Sequence, residues 1–259
     1  MTHIVSWNIN SIRVRTKLVE QLLKELNPDI LMLQEIKCTE DEFPSFFNDK
    51  NYNKVIKGQK GKYGVAILLK KEISFSEIKI KSSILNQESR ICGIKINDKN
   101  INIFNVYTPN GNPMEQKNKF EYKLNWLNEL KKLTINHITN YDELVIGGDF
   151  NVIENTSDVK DFSLWTNDAL GHIEARRKFR EIISSGLINA VRLFFSPGKF
   201  YSFWDYQKAS WERNDGMLID HFLISPKTLN RVESFHIKNN YRALEKPSDH
   251  VPICLKLKN

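Results

Sequence analysis

Cysteine is scarce in this chain: Cys38, Cys92 and Cys254 are the only three in 259 residues, and no two are close together. That spacing argues against a zinc cluster or a disulfide framework and makes each thiol a small core or boundary residue in a reducing compartment. Long hydrophobic runs are also missing, since no stretch reaches the roughly 18 apolar residues that a membrane helix needs. The opening Met1-Thr2-His3-Ile4-Val5-Ser6-Trp7 lacks a basic region followed by an apolar run. Neither a signal peptide nor a membrane partner is expected, and the expected location is cytoplasmic. No Pro-, Gly- or Ser-rich linker, low-complexity tract or close repeat divides the chain, so one domain over residues 1–259 is expected; a boundary hidden near 136–143 is the alternative. Acidic residues are the minority charge, 31 Asp and Glu against 38 Lys and Arg. The resulting formal charge of +7 favours a polyanionic partner. At 41% hydrophobic and 27% charged the chain can bury a sizeable core, which argues against disorder.

The periodicities alternate between strand and helix. Ile4 to Ile9 reads as a strand, and apolar residues at 14, 18, 22, 23 and 26 predict an amphipathic helix that Asn27-Pro28 stops. Ile30 to Leu33 is a short apolar run, which completes a strand–helix–strand unit. Val65–Leu69, Ile91–Ile96 and Ile101–Val106 read as an antiparallel meander, and residues 115–133 as a second helix with Phe120, Leu124, Leu127 and Leu130 on one face. Leu144 to Ile146 is a strand, about 174–185 a third helix, and Phe200–Trp204, Met217–Ile224 and Val251–Leu257 are the last strands. Two packed sheets flanked by helices are expected.

Polar and acidic residues follow these apolar runs directly: Asn8, Glu35, Tyr107 with Asn110, Asp149 with Asn151, Asp220 inside the Met217–Ile224 run, and Asp249-His250 before Val251. Groups at strand ends converge on one rim of an α/β sheet, where ligands bind. Carboxylates gathered there repel one another unless a hard cation neutralises them, and oxygen-only ligands suit magnesium. The single histidine then stands apart as an acid–base or phosphate-polarising group. Each position alone has a plainer reading, as a turn former or a half-buried strand residue. Ser248-Asp249-His250 also suggests a serine hydrolase, but Ser248 lacks a Gly-x-Ser-x-Gly elbow and adjacent residues rarely form a triad. Lys57, Lys60 and Lys62, beside Tyr63 in a glycine-containing loop, with Arg13, Arg90, Lys208 and Arg213 near the other motifs, are candidates for gripping phosphates.

Taken in order, these motifs resemble the exonuclease III class of AP endonucleases. Ser6-Trp7-Asn8-Ile9-Asn10-Ser11-Ile12-Arg13, Leu33-Gln34-Glu35-Ile36-Lys37, Tyr107-Thr108-Pro109-Asn110-Gly111, Gly147-Gly148-Asp149-Phe150-Asn151 and Ser248-Asp249-His250-Val251-Pro252 carry the likeness over nearly the whole chain. Gly-Asp-Phe-Asn and the last motif also occur in DNase I-like phosphatases and sphingomyelinases. Phe203-Trp204-Asp205-Tyr206-Gln207 with Gly216–His221 is similar to the DNA-repair branch. The resemblance implies a four-layered α/β sandwich and magnesium, with manganese as the alternative ion. It implies metal binding by Glu35, with Asn8 beside it and Asp249 near, and water activation by Asp149 aided by Asn151. It also implies phosphate contacts from Tyr107 and Asn110, and charge stabilisation by His250 oriented by Asp220. Phe203, Met217 and Ile219 match the walls of a pocket for a flipped-out abasic sugar, and Tyr63 and Arg90 are counted with them as substrate-binding. The implied activity is cleavage 5′ to abasic sites in double-stranded DNA, with 3′→5′ exonuclease and 3′-end trimming, by a monomer. A superfamily phosphatase of inositol phosphates or phospholipids, and a catalytically silent DNA-binding homologue, are the alternatives. Two positions depart from the family pattern: Leu218 where Arg is common and Asn189 where Asp is common.

Overall fold

The first strand–helix–strand unit forms β1 (Thr2–Asn8), α1 (Ile12–Leu26) and β2 (Ile30–Gln34), and the strands run parallel from Ile4 opposite Ile30 to Asn8 opposite Gln34. The computed structural model describes residues 1–47, 52–140, 142–198 and 200–259. α1 ends where Asn27 turns into the left-handed region at φ 41°, a conformation asparagine tolerates better than most residues. The chain continues through β3 (Tyr52–Lys57), β4 (Val65–Lys70), β5 (Phe75–Glu77), β6 (Ile91–Ile96), β7 (Ile101–Tyr107), α2 (Lys117–Thr139), β8 (Glu143–Asp149) and α3 (Ile173–Ser184). The last elements are β9 (Ile188–Asn189), β10 (Asp220–Ile224), α4 (Pro226–Leu229), β11 (Val232–Ile237) and β12 (Ile253–Leu257). Among the described residues the strands form two six-stranded mixed sheets, ordered β11-β12-β1-β2-β4-β3 and β5-β6-β7-β8-β10-β9.

Side-chain alternation within the central strands builds four layers. In β1, Ile4 faces the second sheet while Val5 and Trp7 lie beneath α1 with Val19 and Leu22. In β8, Val145 faces the first sheet while Leu144 and Ile146 pack under Trp126 and Leu127 of α2 and Phe179 of α3. The two sheets therefore bury one apolar layer between them, and each buries another against its helices. Close to one rim that inner layer turns polar. Gln34 donates through Nε2 to Asn105 Oδ1 (2.7 Å) and Ser6 Oγ (3.0 Å), and Asn105 Nδ2 reaches the carbonyls of Leu33 and Ala66 at 2.9 Å each. Both amides are fully buried, so these bonds lock one sheet against the other.

The expected elements differ from the observed ones at the sheet edges and in the expected meander, which splits: β4 pairs with β2 and β3 in the first sheet, while β6 and β7 pair in the second. β3, β5, β9 and β11 are the edge strands, and none was expected. Their sequences are short and partly exposed, and in Tyr52-Asn53-Lys54-Val55-Ile56-Lys57 a lysine falls on each face, so little apolar alternation remains to be read. Phe200–Trp204 does not form a strand: Phe203 makes isolated bridges to Met217 and His250, and the neighbouring chain stays irregular. The Met217–Ile224 strand begins only at Asp220.

Candidate active site

The rim beyond the polar layer gathers the strand ends of both sheets. Asn8 ends β1, Glu35 follows β2, and Asp249-His250 precede β12, all in the first sheet; Tyr107 ends β7, Asp149 ends β8 and Asp220 opens β10 in the second. Register makes the last three neighbours, with Tyr107 and Asp220 both paired with Asp149. Gly148, at φ 144°, lets the chain reach that point, because a Cβ there would lie 1.9 Å from the Val106 carbonyl oxygen.

Two side-chain links cross from sheet to sheet. Asn8 Nδ2 donates to Glu35 Oε1 at 2.9 Å and to Asp149 Oδ2 at 3.0 Å, while its Oδ1 accepts from the Asn10 amide at 3.1 Å. With the oxygen occupied there, Asn8 acts as a spacer between two carboxylates. His250 Nδ1 lies 2.8 Å from Asp220 Oδ2, and its Nε2 is 3.7 Å from Asp149 Oδ2. Burial alone would lower the His250 pKa, but Asp220 and Asp149 outweigh it and raise it to about 10. Burial, reinforced by Asp220, raises the Asp149 carboxyl to about 7 against the opposing pull of His250 and the hydrogen bonds from Asn8 and Asn151. The two titrations belong to the pair.

Around Asp149, the Asn151 amide donates to Oδ1 at 2.8 Å and Asn151 Nδ2 to Oδ2 at 3.2 Å; Asn110 Nδ2 meets Asn151 Oδ1 at 3.2 Å. Glu35 stands in the left-handed region at φ 51°, and Lys37 Nζ pairs with its Oε2 at 2.9 Å. Burial works against its charged form, but Lys37 and Asn8 outweigh that and hold the carboxyl below its usual range. Lys37 also bonds Asn10, whose Nδ2 reaches Asp249 Oδ1 at 3.1 Å, so Glu35 and Asp249 belong to one network. Burial and the nearby Glu35 push the Tyr107 phenol well above its ordinary pKa, keeping its proton available for donation.

Arg90 is 5% exposed. Its guanidinium lies 3.9 Å from the Tyr63 ring centre and 4.6 Å from that of Tyr107, and its Nε bonds Glu88 at 2.5 Å. This geometry makes Arg90 a brace for the two tyrosines, with Tyr63 at the surface side. Phe203 and Met217 line a cavity of about 200 Å³ with Trp165, Lys208 and Arg213. The Phe203 ring packs edge-on against His250, 4.9 Å between centres. Ile219 lies behind this wall at 1% exposure, in one apolar cluster with Met217, Ile153 and Leu170.

Two buried partners carry no clear strand-end signal. Ser202 donates to Asp220 Oδ2 at 2.6 Å and accepts from the Asp220 and Ile219 amides at 3.1 and 3.3 Å. Ser202→Ala is expected to cost about 1–3 kcal/mol of stability, read as a lowered melting midpoint, because it strips a buried carboxylate and two amides of a partner. Lys123 sits in phase with Trp126, Leu127 and Leu130 on the buried face of α2. A lysine inside an apolar helical stripe was the available clue.

A model of the Endonuclease/Exonuclease/phosphatase family matches residues 5–250. The chain belongs to this family. Exodeoxyribonuclease III of Haemophilus influenzae is a relative at 28% identity, with the match covering 98% of this chain and 99% of that protein. Among solved structures of the family fold, an AP endonuclease from Archaeoglobus fulgidus is similar at TM-score 0.92 and 32% identity, and a 3′ phosphatase from Neisseria bound to product DNA hairpin at 0.92 and 30%. Each of these likenesses covers 100% of both chains. Both departures from the family pattern are absorbed. Leu218, 1% exposed, joins the apolar layer between the sheets. Asn189 Nδ2 donates to Glu154 Oε2 (2.9 Å) and faces His221 Nδ1 (3.1 Å), and Glu154, gripped by Arg192 at 2.7 and 3.0 Å, is one of two carboxylates that this arginine holds, Asp158 being the other.

Proposed function

We propose that this DNA-repair phosphodiesterase cuts the backbone 5′ to abasic sites in duplex DNA and trims 3′ ends, with residues 1–259 acting as one catalytic unit and magnesium as cofactor. The observation that carries the reading is the pair of links across the sheets, Asn8 between Glu35 and Asp149 and His250 between Asp220 and Asp149. Full-length likeness to exodeoxyribonuclease III and to an AP endonuclease supports DNA as the polymer. The cavity walled by Phe203, Trp165 and Met217 supports an extruded sugar: its wall residue Phe203 packs against His250, and polar side chains, among them Lys208, Gln207 and an Arg213–Asp215 pair, complete the lining.

The donor chemistry fits a hard cation on the Glu35 side. Glu35 and Asp249 offer carboxylate oxygens, and Lys37 already stands against Glu35 as a positive charge. Asp149, Asp220 and His250 have ligand atoms within 4.8 Å of one another, but His250 carries a proton over the neutral range and has committed Nδ1 to Asp220. That trio suits proton and charge work rather than metal binding. When bound by Glu35 and Asp249, magnesium supplies Lewis-acid stabilisation of phosphoryl charge. Asp149 then takes a proton from a water whose oxygen bonds the phosphorus; the P–O3′ bond breaks, leaving the phosphate on the abasic sugar and a 3′-hydroxyl once that oxygen is protonated. His250, held by Asp220, and the Tyr107 phenol offset the charge that builds on the phosphoryl oxygens, and Asn110 and Asn151 orient the phosphate.

The test is one gel comparing intact and abasic-site duplexes with magnesium and with chelator. Internal cleavage at the abasic site only, with slower shortening from 3′ ends in both duplexes, all of it abolished by chelator and by Glu35→Ala, is the expected result. An uncut abasic duplex, with wild type and Glu35→Ala alike, overturns the reading. Release of inorganic phosphate from inositol phosphates with DNA untouched would move the chain to the phosphatase branch of its family.

A further inference from the structure

Lys123 is the most deeply buried cation near the site. It is fully buried, and its Nζ donates to three backbone carbonyls: Asn151 at 2.6 Å, Ala169 at 2.8 Å and Asn110 at 2.9 Å. An ammonium has three N–H donors, so the three carbonyls use every one of them, whereas a neutral amine would leave one carbonyl unpaired. Among the described residues no carboxylate forms an ion pair with it; Asp168 and Asp149 are the nearby negative charges that favour its cationic form. Burial pulls the other way and lowers its pKa, while the three carbonyls hold the charged form. Keeping a lysine here is costly unless the arrangement it enforces is useful.

The three carbonyls come from the loop after β7 and from the two ends of the long connection between β8 and α3, Asn151 just after β8 and Ala169 just before α3. The loop after β7 and the start of that connection carry the side chains at the rim. Asn110 Nδ2 bonds Asn151 Oδ1, and Asn151 bonds Asp149 through both its backbone amide and its Nδ2. The local sequence makes room for the ammonium stem. Gly111 has φ 90°, and a Cβ there would come within 2.8 Å of Lys123 Cδ and 3.0 Å of Ala169 Cβ. The Asn-Gly turn is thus shaped by the lysine passing beneath it.

We propose that Lys123 is a positioning residue: its ammonium ties the loops after β7 and β8 together from below, so that the Asn110 and Asn151 amides and the Asp149 carboxylate meet the phosphate in one fixed arrangement. This rests on the phosphodiesterase reading for what the arrangement serves. The tie itself does not.

The full-length chain with Lys123→Met keeps the side-chain length and removes the three donors. On an abasic-site duplex with magnesium, kcat is expected to fall roughly 10²-fold, the size of loss that small misplacement of reacting groups produces. KM should stay within about twofold, since the lost interaction acts on geometry in the transition state. Lys123→Arg, which restores a cation, is expected to recover part of kcat. A Lys123→Met chain that melts cooperatively and turns over like wild type overturns the proposal, as does a loss appearing only in KM. If that variant does not fold, Lys123→Gln takes its place with the same criteria. Independently of turnover, ¹H–¹⁵N spectra of the wild type at a mildly acidic pH of about 5.5, where the lysine is charged even with its lowered pKa, should show an exchange-protected Lys123 ammonium; its absence overturns the tie. Failure of wild type to cut the duplex, with that resonance present, would sink the functional reading and leave the tie standing.

Discussion

Asp149→Asn is expected to lower kcat by about 10²–10⁴-fold, the range that a positioned general base contributes, while the abasic duplex still binds. The carboxylate at this position receives Asn8 and Asn151 and faces His250 Nε2 at 3.7 Å. An asparagine has the same shape but turns one of the two accepting oxygens into a donor, so part of the hydrogen-bonded frame survives while the proton acceptor is lost. A carboxylate close to the phosphate also repels it, and its neutralisation removes that repulsion. Binding should therefore hold or tighten as turnover collapses, which single-turnover kinetics and a binding titration separate. Equal losses in both would show that Asp149 maintains structure rather than accepting a proton.

A bell-shaped pH profile should follow from the same pair. Asp149, with its carboxyl raised to about 7, must lose its proton to act as base, so activity rises through neutral pH. His250, raised to about 10, must keep its proton to offset phosphoryl charge, so activity falls as pH climbs through that value. In Asp220→Asn the histidine loses its leading favourable charge and its Nδ1 carboxylate partner. The falling limb should then move to lower pH by roughly 1–3 pH units, as expected when an opposite charge in contact is removed, and the rising limb should move down by less, because burial and not Asp220 is the leading cause of the Asp149 shift. Activity measured from pH 6 to 10.5 for both forms would decide the matter. A falling limb that ignores Asp220→Asn would mean that another group sets it.

The central strands and the rim residues were legible in the sequence because both leave periodic traces. β1, β2, β7 and β8 are apolar on both faces and end in polar residues, so the run and its terminus stand out together. The edge strands were illegible for the converse reason: β3 and β11 face solvent along one side and read as polar loops. Phe203 was visible as a site residue but placed on a strand, because Phe200–Trp204 is rich in aromatics whose burial comes from side-chain packing rather than from a ladder. Ser202 and Lys123 were missed as partners. Their roles depend on contacts 13 to 46 positions away, which no local window contains.

The Gln34–Asn105 lock has a bearing on how such an enzyme can diversify. Apolar contacts between sheets are non-directional and tolerate volume-conserving exchange, whereas short directional bonds to fixed carbonyls admit one geometry. Asn105 lies two residues before Tyr107, and Gln34 one before Glu35, so the bolt sits next to the reacting groups and the lever arm is short. Slack elsewhere between the sheets, toward the far rim at Ile30 and Ile96, is only weakly transmitted to the chemistry. That half of the interior is free to exchange one aliphatic side chain for another over evolutionary time, and the amide bolt tells an engineer where such freedom stops.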